Sequence, residues 1–224
     1  VTGMLSTGQL VLMALDFGRL RLAAEAAERS LRWLEDSPTA PPPIIGVIFS
    51  TLGMVGLERG QMETAREYMQ RGLKLARFSG HNASIISIQT NMARLHLYER
   101  EFEQAKICLD EAWRLFIAGA AGWLRPGLIA RQAQYELARG DAAAAEAVLR
   151  ENGILPEGEV RLPAGEAYLV WVRLLAAHGE AGIEQGLALT RRIIERAQTV
   201  KRSSLVMLAN LHQALLLESA DRRD

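Results

Sequence analysis

The 224-residue sequence predicts an all-α solenoid of antiparallel helix pairs, each about 40 residues long. Two observations lead to this prediction. Apolar residues recur at helical spacing along most of the chain. A turn followed by a helix with an alanine on its inner face also recurs five times, at Ala23, Ala65, Ala105, Ala145 and Ala188. These alanines lie 42, 40, 40 and 43 residues apart, and so regular a spacing indicates stacked structural repeats.

Glycine marks the turn between the two helices in most repeats, as at Gly18, Gly60, Gly140 and Gly179. Glycine adopts the left-handed conformation that ends a helix without a steric penalty. The third repeat has Glu99–Glu101 at this turn. The alanine that follows each turn is expected where the two helix backbones approach most closely, because a larger side chain would push them apart.

Helix-breaking residues divide the chain into five pairs, a terminal helix and two long connectors. Proline denies a helix its backbone donor, so residues 38–43 are predicted to form a stiff connector, and glycine and proline predict a second one at 152–163. Asn82 or Ser84 is predicted to cap the third pair. The predicted helices are 3–17 and 19–35, 44–59 and 61–78, 83–99 and 101–118, 125–139 and 141–152, 164–178 and 182–198, and 202–218.

These elements are predicted to form a single domain over residues 1–224, with repeat units at 3–35, 44–78, 83–118, 125–152 and 164–198. Because the chain starts at Val1, we expect it to be a fragment of a larger protein.

The charge balance argues against nucleic-acid binding by this segment. The 26 lysines and arginines equal the 26 aspartates and glutamates, whereas a nucleic-acid binder usually carries a basic excess. Glutamates interrupt the densest basic group, which favours a solvated face over a nucleic-acid patch. This group consists of Arg191, Arg192, Arg196, Lys201 and Arg202. No apolar run is long enough to predict a membrane span, and a single cysteine suits a reducing cytoplasm.

The sequence lacks the motifs of common catalytic and cofactor sites. It has no Gly-x-x-x-x-Gly-Lys phosphate loop, no Gly-x-Ser-x-Gly elbow and no His-Glu-x-x-His zinc signature. The four histidines fall in different units, so a shared metal site is not predicted. Cys108 has no base beside it in sequence, which favours a packed thiol over a reactive one. We therefore predict a chain that is not an enzyme and needs no cofactor or metal.

The repeats resemble tetratricopeptide units in the order of their small residues. Leu52 and Gly53 are similar to the leucine and small residue of the first helix, and Gly60, Ala65 and Gly72 match the turn, packing and second-helix positions. The next two pairs repeat the arrangement at Ala93, Ala105 and Ala112, and at Ala133 and Ala145. This resemblance implies a right-handed superhelix, with units longer than the usual 34 residues or so.

Longer units of this kind resemble the sensor region of MalT-like regulators, the large ATP-binding LuxR-type transcription activators. Gln134–Leu149 is similar to their recurrent helix–glycine–aspartate–helix segment, and Glu166–Leu174 with Gly186–Leu189 is similar to the unit that follows. The resemblance covers nearly the whole chain. It implies that the solenoid lies between an ATPase domain and a helix-turn-helix DNA-binding domain, both absent here, and that it receives a small-molecule inducer or a regulatory protein.

A solenoid of this type binds on the concave surface that its first helices line. Taking the small residue of each first helix as a reference, the positions one after it and three before it are expected to face inward. Arginine and amide side chains there could bind a sugar, a carboxylate or a peptide backbone, and the alternative is a merely hydrated wall. The candidate residues are Ser50, Met54, Thr90, Arg94, Gln134, Arg173 and Asn210.

Four aromatic residues cluster around the fourth and fifth pairs in a chain that is only 6% aromatic. They are Trp123, Tyr135, Tyr168 and Trp171. These rings could form a stacking platform for a sugar or another planar ligand, or they could pack between helices as ordinary core residues.

The leading hypothesis is a ligand- or partner-sensing domain of a bacterial LuxR/MalT-type transcription regulator, which couples signal binding to activation. The alternative is a generic tetratricopeptide scaffold for protein–protein interaction. Both functions use the same fold, so the fold does not distinguish them. The sequence does not predict the ligand or the oligomeric state.

Overall fold

The computed structural model describes residues 10–11, 13–15, 17–35, 45–119 and 122–221. Within these ranges the chain consists of α-helices, short 3-10 helices, turns and one longer connector, and it contains no strand. Short turns join the helices in pairs along the chain, which confirms the predicted all-α repeat architecture. Residues 1–125 and 126–224 each form a compact unit. The two units are described separately, and the single-domain organisation stays a prediction.

The first unit contains α1 (Leu20–Glu35), α2 (Ile45–Glu58), α3 (Met62–Phe78), α4 (Asn82–Tyr98), α5 (Phe102–Ile117) and a 3-10 helix (Gly122–Leu124). The bounds of the second and third pairs agree with prediction to within one residue. Most of the predicted helix 3–17 and the whole of the connector 38–43 lie outside the described residues. Helix α2 packs against α1, α3 and α4, so nearly all its side chains are buried.

The second unit contains α6 (Arg125–Ala138), α7 (Ala142–Glu151), a 3-10 helix (Leu162–Ala164), α8 (Gly165–Ala176), α9 (Gly179–Thr199) and α10 (Ser203–Asp221). Helix α9 begins three residues earlier than predicted, directly after a two-residue turn. Helix α10 packs against α9 and α8. The predicted connector between the fourth and fifth pairs is confirmed at residues 152–164.

Most of the described turns between helices share one hydrogen-bonded geometry. At the end of α2, Gln61 N–H donates to the Gly56 carbonyl oxygen at 2.9 Å and Gly60 N–H donates to Leu57 at 3.0 Å, while Gly60 has a φ of +71°. This pair of bonds satisfies the free carbonyls at a helix end. The same bonds form around Arg100, whose φ is +62°, so an arginine holds the left-handed position that Gly60 holds at the end of α2.

The inner alanines are confirmed in four of the five pairs. Their side chains are fully buried at Ala23, Ala65, Ala105 and Ala145. The fifth assignment is wrong, because Ala188 is exposed. Gly182 takes its place, and a methyl group on Gly182 would overlap the backbone oxygen of Leu175 in α8.

The predicted cap of α4 is also wrong. The helix begins at Asn82, so His81 occupies the capping position instead of Asn82 or Ser84. The His81 ring lies 2.7 Å from the Ser84 hydroxyl through Nδ1, and Ser84 is buried against α2.

Candidate functional site

Polar side chains link the first helices of two adjacent repeats in the first unit. Asn91 of α4 donates from Nδ2 to the Ser50 hydroxyl of α2 at 3.0 Å, and Ser87 Oγ lies 3.4 Å from the same hydroxyl. Ser50 and Asn91 are both buried. The prediction that Ser50 faces the open inner wall is therefore wrong, since its hydroxyl fastens α2 to α4.

Arg94 lies beside this link and is held from two sides. Its Nη2 donates to Glu58 Oε1 at 2.6 Å, and its Nε donates to the Tyr98 hydroxyl at 2.9 Å. The guanidinium carbon also lies 5.4 Å from the centre of the Tyr98 ring. Only 12% of the Arg94 side chain is exposed. The sequence singled out Arg94 but missed Glu58 and Tyr98, which fix its orientation.

Met54 and Thr90 share a face with this pair. Met54 lies one turn before Glu58 on α2, and Thr90 lies one turn before Arg94 on α4, so each is on the same side of its helix as the ion pair. Both side chains are half-buried. The Thr90 hydroxyl donates to the Ile86 carbonyl oxygen of its own helix at 2.7 Å. We call Met54, Glu58, Thr90, Arg94 and Tyr98 the inner face of the first unit.

The second unit has a corresponding buried charge that was not predicted from the sequence. Arg131 of α6 pairs with Glu166 of α8 at 3.1 Å and donates to the side-chain oxygen of Gln134. Gln134, a predicted site residue, therefore accepts a hydrogen bond from a buried arginine. The sequence does contain a signal for this buried charge. Polar residues recur two positions before the small reference residue, and all three are buried: Thr51, Asn91 and Arg131.

Arg173 and Asn210 are exposed, as an inner-wall role requires. Asn210 directly follows Ala209, which is fully buried, like the small reference residues Ala93 and Ala133. The inner-wall role of Arg173 and Asn210 stays a prediction, and Arg173 is the exposed predicted cation of the second unit.

The similarity to a known family extends over the sequences of both units. The model of the MalT-like TPR region matches residues 1–224. The chain belongs to the MalT-like TPR family. No curated protein matches the chain at a significant level. Across the described residues of this MalT-like TPR chain, no helix is both long and apolar enough to cross a membrane.

Three of the four candidate stacking residues are core residues in this MalT-like TPR chain. Tyr135, Tyr168 and Trp171 are buried, and the polar atoms of the last two bind the backbone. Tyr168 donates its hydroxyl to the Glu159 carbonyl oxygen at 2.9 Å, and Trp171 donates Nε1 to Ile154 at 2.8 Å. The stacking platform is therefore not formed by these rings. Trp123 differs, since 63% of it is exposed.

One group of possible metal ligands comes together among the described residues, at the turn between α4 and α5. Ligand atoms of His96, Glu99 and Glu101 all lie within 4.8 Å of one another. His96 Nδ1 is 2.6 Å from Glu101 Oε2. The Arg66 guanidinium pairs with Glu99 and lies 3.9 Å from Glu101, so a side chain already places a positive charge beside these carboxylates.

The basic group of α9 and the following turn has an internal role in this structure. Arg192 and Arg202 donate to backbone carbonyls of the connector before α8, and Arg196 pairs with Glu159 of that connector at 3.1 Å. Arg191 is exposed and bonds within its own helix. Three arginines of this group therefore bind the connector, so the group does not form only a solvated face.

Cys108 is buried in α5, as predicted. Burial, with a smaller effect of nearby Glu111 and against an opposing effect of Arg77, raises the pKa of its thiol to about 11. A thiol with so high a pKa is almost entirely protonated at neutral pH and is a poor nucleophile. This supports the interpretation of Cys108 as a packing residue.

Proposed function

We propose that this MalT-like TPR chain is the ligand- or partner-sensing region of a multidomain bacterial LuxR/MalT-type transcription regulator, and that it couples signal binding to activation. Membership of the family supports the association with such a regulator. On this proposal the ATPase and helix-turn-helix domains belong to the same cytoplasmic protein. The chain itself binds a signal and has no catalytic role.

The side chain of Arg94 carries the proposal. It lies on a first helix, and Glu58 and Tyr98 hold its guanidinium in one orientation. A guanidinium offers several N–H donors in one plane, which suits the oxygens of a carboxylate or a sugar. Because its orientation is fixed in advance, little side-chain entropy would be lost on binding. We therefore favour a small ligand rich in hydroxyl or carboxylate oxygens.

The same contact offers a route from binding to conformational change. Glu58 belongs to α2 and Arg94 to α4, so their ion pair joins two adjacent repeats. A ligand carboxylate that competes with Glu58 for Arg94 would weaken this link. A ligand can shift a conformational equilibrium only by as much as it binds the two states differently, and competition for Arg94 provides such a difference.

A thermal-shift screen of sugars, sugar acids and small carboxylates tests the proposal, with Arg94→Ala as the key variant. Arg77→Ala is the matched control, because Arg77 also pairs with a glutamate of an adjacent repeat, Glu111 at 2.7 Å, but this pair joins the second helices α3 and α5. We expect a ligand that stabilises the unaltered chain and Arg77→Ala but not Arg94→Ala. A ligand that stabilises all three equally would contradict the role of Arg94.

The response of the complete regulator gives a second test. We expect Arg94→Ala to abolish inducer-dependent transcription while the protein level stays unchanged, and Arg173→Ala tests the second unit in the same way. The gene around this segment should encode a phosphate-loop motif upstream and a helix-turn-helix downstream. If neither flanking motif is present, the regulator proposal is wrong.

The alternative is a scaffold that binds proteins without sensing a small molecule. Two large apolar residues favour it, since Phe78 and Ile117 are 88% and 80% exposed at the ends of α3 and α5. The scaffold hypothesis predicts that no compound in the screen stabilises the chain. It also predicts that Phe78→Ser with Ile117→Ser abolishes binding to the partner, whereas Arg94→Ala does not.

A further inference from the structure

Helix α10 packs on the fifth pair in the same register in which α4 packs on the second pair. Leu205 of α10 lies over Gly165 at the start of α8, where a methyl group on the glycine would overlap it. Ser84 of α4 lies over Gly46 near the start of α2 in the same way. Leu205 and Ser84 therefore occupy equivalent positions.

A second contact gives the same register. Leu216 of α10 lies over Gly186 of α9, and Leu95 of α4 packs in one cluster with Met69 of α3. Gly186 and Met69 each lie four residues after the residue of closest approach in their own helix, Gly182 and Ala65 respectively. Leu216 follows Leu205 by the same number of residues as Leu95 follows Ser84. Ala214 is therefore the equivalent of Ala93, the small reference residue of α4.

This register identifies the face of α10 that corresponds to the partner-covered face of α4. In α4, Gln89 donates a hydrogen bond to Glu111 of the second helix of the pair, and Ile86, Ala93 and His96 lie on the same side of α4 by helical spacing. All four residues are buried. Their equivalents form what we call the open stripe of α10: Met207, Asn210, Ala214 and Leu217. All four are exposed, with Met207 at 61% and Leu217 at 50%, compared with 1% for Ile86 and 6% for His96. Among the described residues, no helix packs on this stripe.

The repeats also show what kind of element covers such a face. Each second helix of the second, third and fourth pairs has an alanine followed four residues later by methionine or leucine, and both side chains are buried. These pairs of residues are Ala65 and Met69, Ala105 and Leu109, and Ala145 and Leu149. The alanine permits close approach at the turn, and the longer side chain fills the space beside the small residue of the first helix.

We propose that the open stripe of α10 is a docking surface for an antiparallel amphipathic helix with an alanine near its start and methionine or leucine four residues later. Helix α10 would then be the first helix of a sixth pair. The exposed side chains of Leu211 and Leu215 do not belong to this surface, since they are the equivalents of Thr90 and Arg94 in the inner face of the first unit. The proposal is independent of whether the chain senses a ligand.

The test extends the chain with a helix of known fit. Residues 221–224 are replaced by a copy of residues 60–79, which places the copied glycine turn and α3 sequence in the register that follows α2. We expect the melting temperature to rise by at least about 4 °C, because new apolar surface is buried. The amides of α10 should also exchange more slowly. A second extension copies residues 100–119 instead, so that the test does not depend on a single choice of helix.

Matched substitutions show where the added helix binds. Ala214→Glu should abolish the rise in melting temperature, whereas Leu215→Glu, an exposed neighbour outside the stripe, should preserve it. Glutamate at the copied Met69 position should abolish the rise as well. A rise that survives Ala214→Glu, or the absence of a rise with both extensions, overturns the proposal. If instead the unextended chain is a dimer by light scattering and Ala214→Glu dissociates it, the occupant is a second copy and the proposed helix partner is wrong.

Discussion

Arg192 of α9 donates a hydrogen bond from Nη1 to the carbonyl oxygen of Pro156, at 2.8 Å. Its Nη2 donates to the carbonyl oxygen of Gly158. One guanidinium thus binds two carbonyls of the connector between α7 and α8. A connector has no helix or sheet of its own to satisfy these oxygens, and side-chain donors take that role.

Donors from the helices on either side complete this arrangement. Trp171 and Tyr168 of α8 bind two further connector carbonyls, and Arg202, just before α10, donates from Nη1 to Leu162 at 2.7 Å. Ile154, Pro156 and Val160 of the connector are buried. The longest described break between helices is therefore a fixed part of the second unit.

Arg192→Ala should destabilise the second unit by roughly 2–3 kcal/mol, because two carbonyls lose a charged donor. Hydrogen exchange at residues 153–162 should become faster. The free energy of unfolding from urea denaturation and the exchange rates measure these effects. Arg191→Ala is the control, since Arg191 is exposed and bonds only within α9 among the described contacts. Equal losses of unfolding free energy in the two variants would contradict the role of Arg192 in holding the connector.

Gly182→Ala should destabilise the chain by about 2–3 kcal/mol or more, because the added methyl group overlaps the Leu175 backbone oxygen and α8 and α9 must move apart. Gly127→Ala provides the comparison. A methyl group on Gly127, also helical, meets no other atom within 4 Å. That variant should be neutral or slightly more stable, because alanine has the higher helix propensity. The difference in melting temperature between the two variants measures the closeness of the contact.

Arg100→Gly should stabilise the chain by about 0.5–1 kcal/mol. The φ of Arg100 is +62°, and glycine relieves the left-handed strain while it adds entropy to the unfolded chain. Gly140→Ala should have the opposite effect of similar size, because Gly140 has a φ of +89° and open space around it. Denaturant titration of both variants tests the sign. A destabilised Arg100→Gly would indicate that the contact of Arg100 with the Phe102 ring, at 5.7 Å, outweighs the strain.

Burial of Cys108 predicts a loss of stability at alkaline pH. Its thiol has a pKa of about 11 in the folded chain, against an ordinary value of 9.0. Between these values the unfolded chain binds fewer protons than the folded chain, so the free energy of unfolding falls as pH rises. The contribution of this thiol is roughly 2–3 kcal/mol, fully present below pH 9 and lost through pH 11.

Comparison with Cys108→Ala isolates this contribution from other groups that titrate at high pH. The difference in stability between the two chains should be constant below about pH 8 and should shrink as the pH rises to 11. A difference that does not change with pH would show that the thiol is accessible in the folded state. A thiol reagent should likewise react with the folded chain far more slowly than with the unfolded chain.

Much of the fold could be predicted because it depends on residues close in sequence. Helix bounds in the second and third pairs follow from apolar spacing and turn residues, and the structure agrees to within one residue. The closest approach in the fifth pair could not be predicted in this way. Ala188 fits the repeat spacing, but the early start of α9 places Gly182 opposite α8.

The candidate site was predicted only in part. Arg94 was identified because its register on α4 is set by its own helix. Its partner Glu58 lies on α2, and which of the acidic residues on neighbouring helices reaches it depends on how the two helices pack. For the same reason the sequence could not separate exposed Trp123 from buried Trp171, since aromatic rings serve both roles.

The sequence by itself determined the helical repeat, its period and its turns, because these arise from local spacing and backbone preference. Only the tertiary structure decided which polar side chains pair between helices, which arginines bind the connector, and which side of α10 no described helix covers. Those outcomes depend on the relative register of packed helices. A shift of one residue turns a helical side chain by about 100°, which is enough to move it from a covered face to an exposed one.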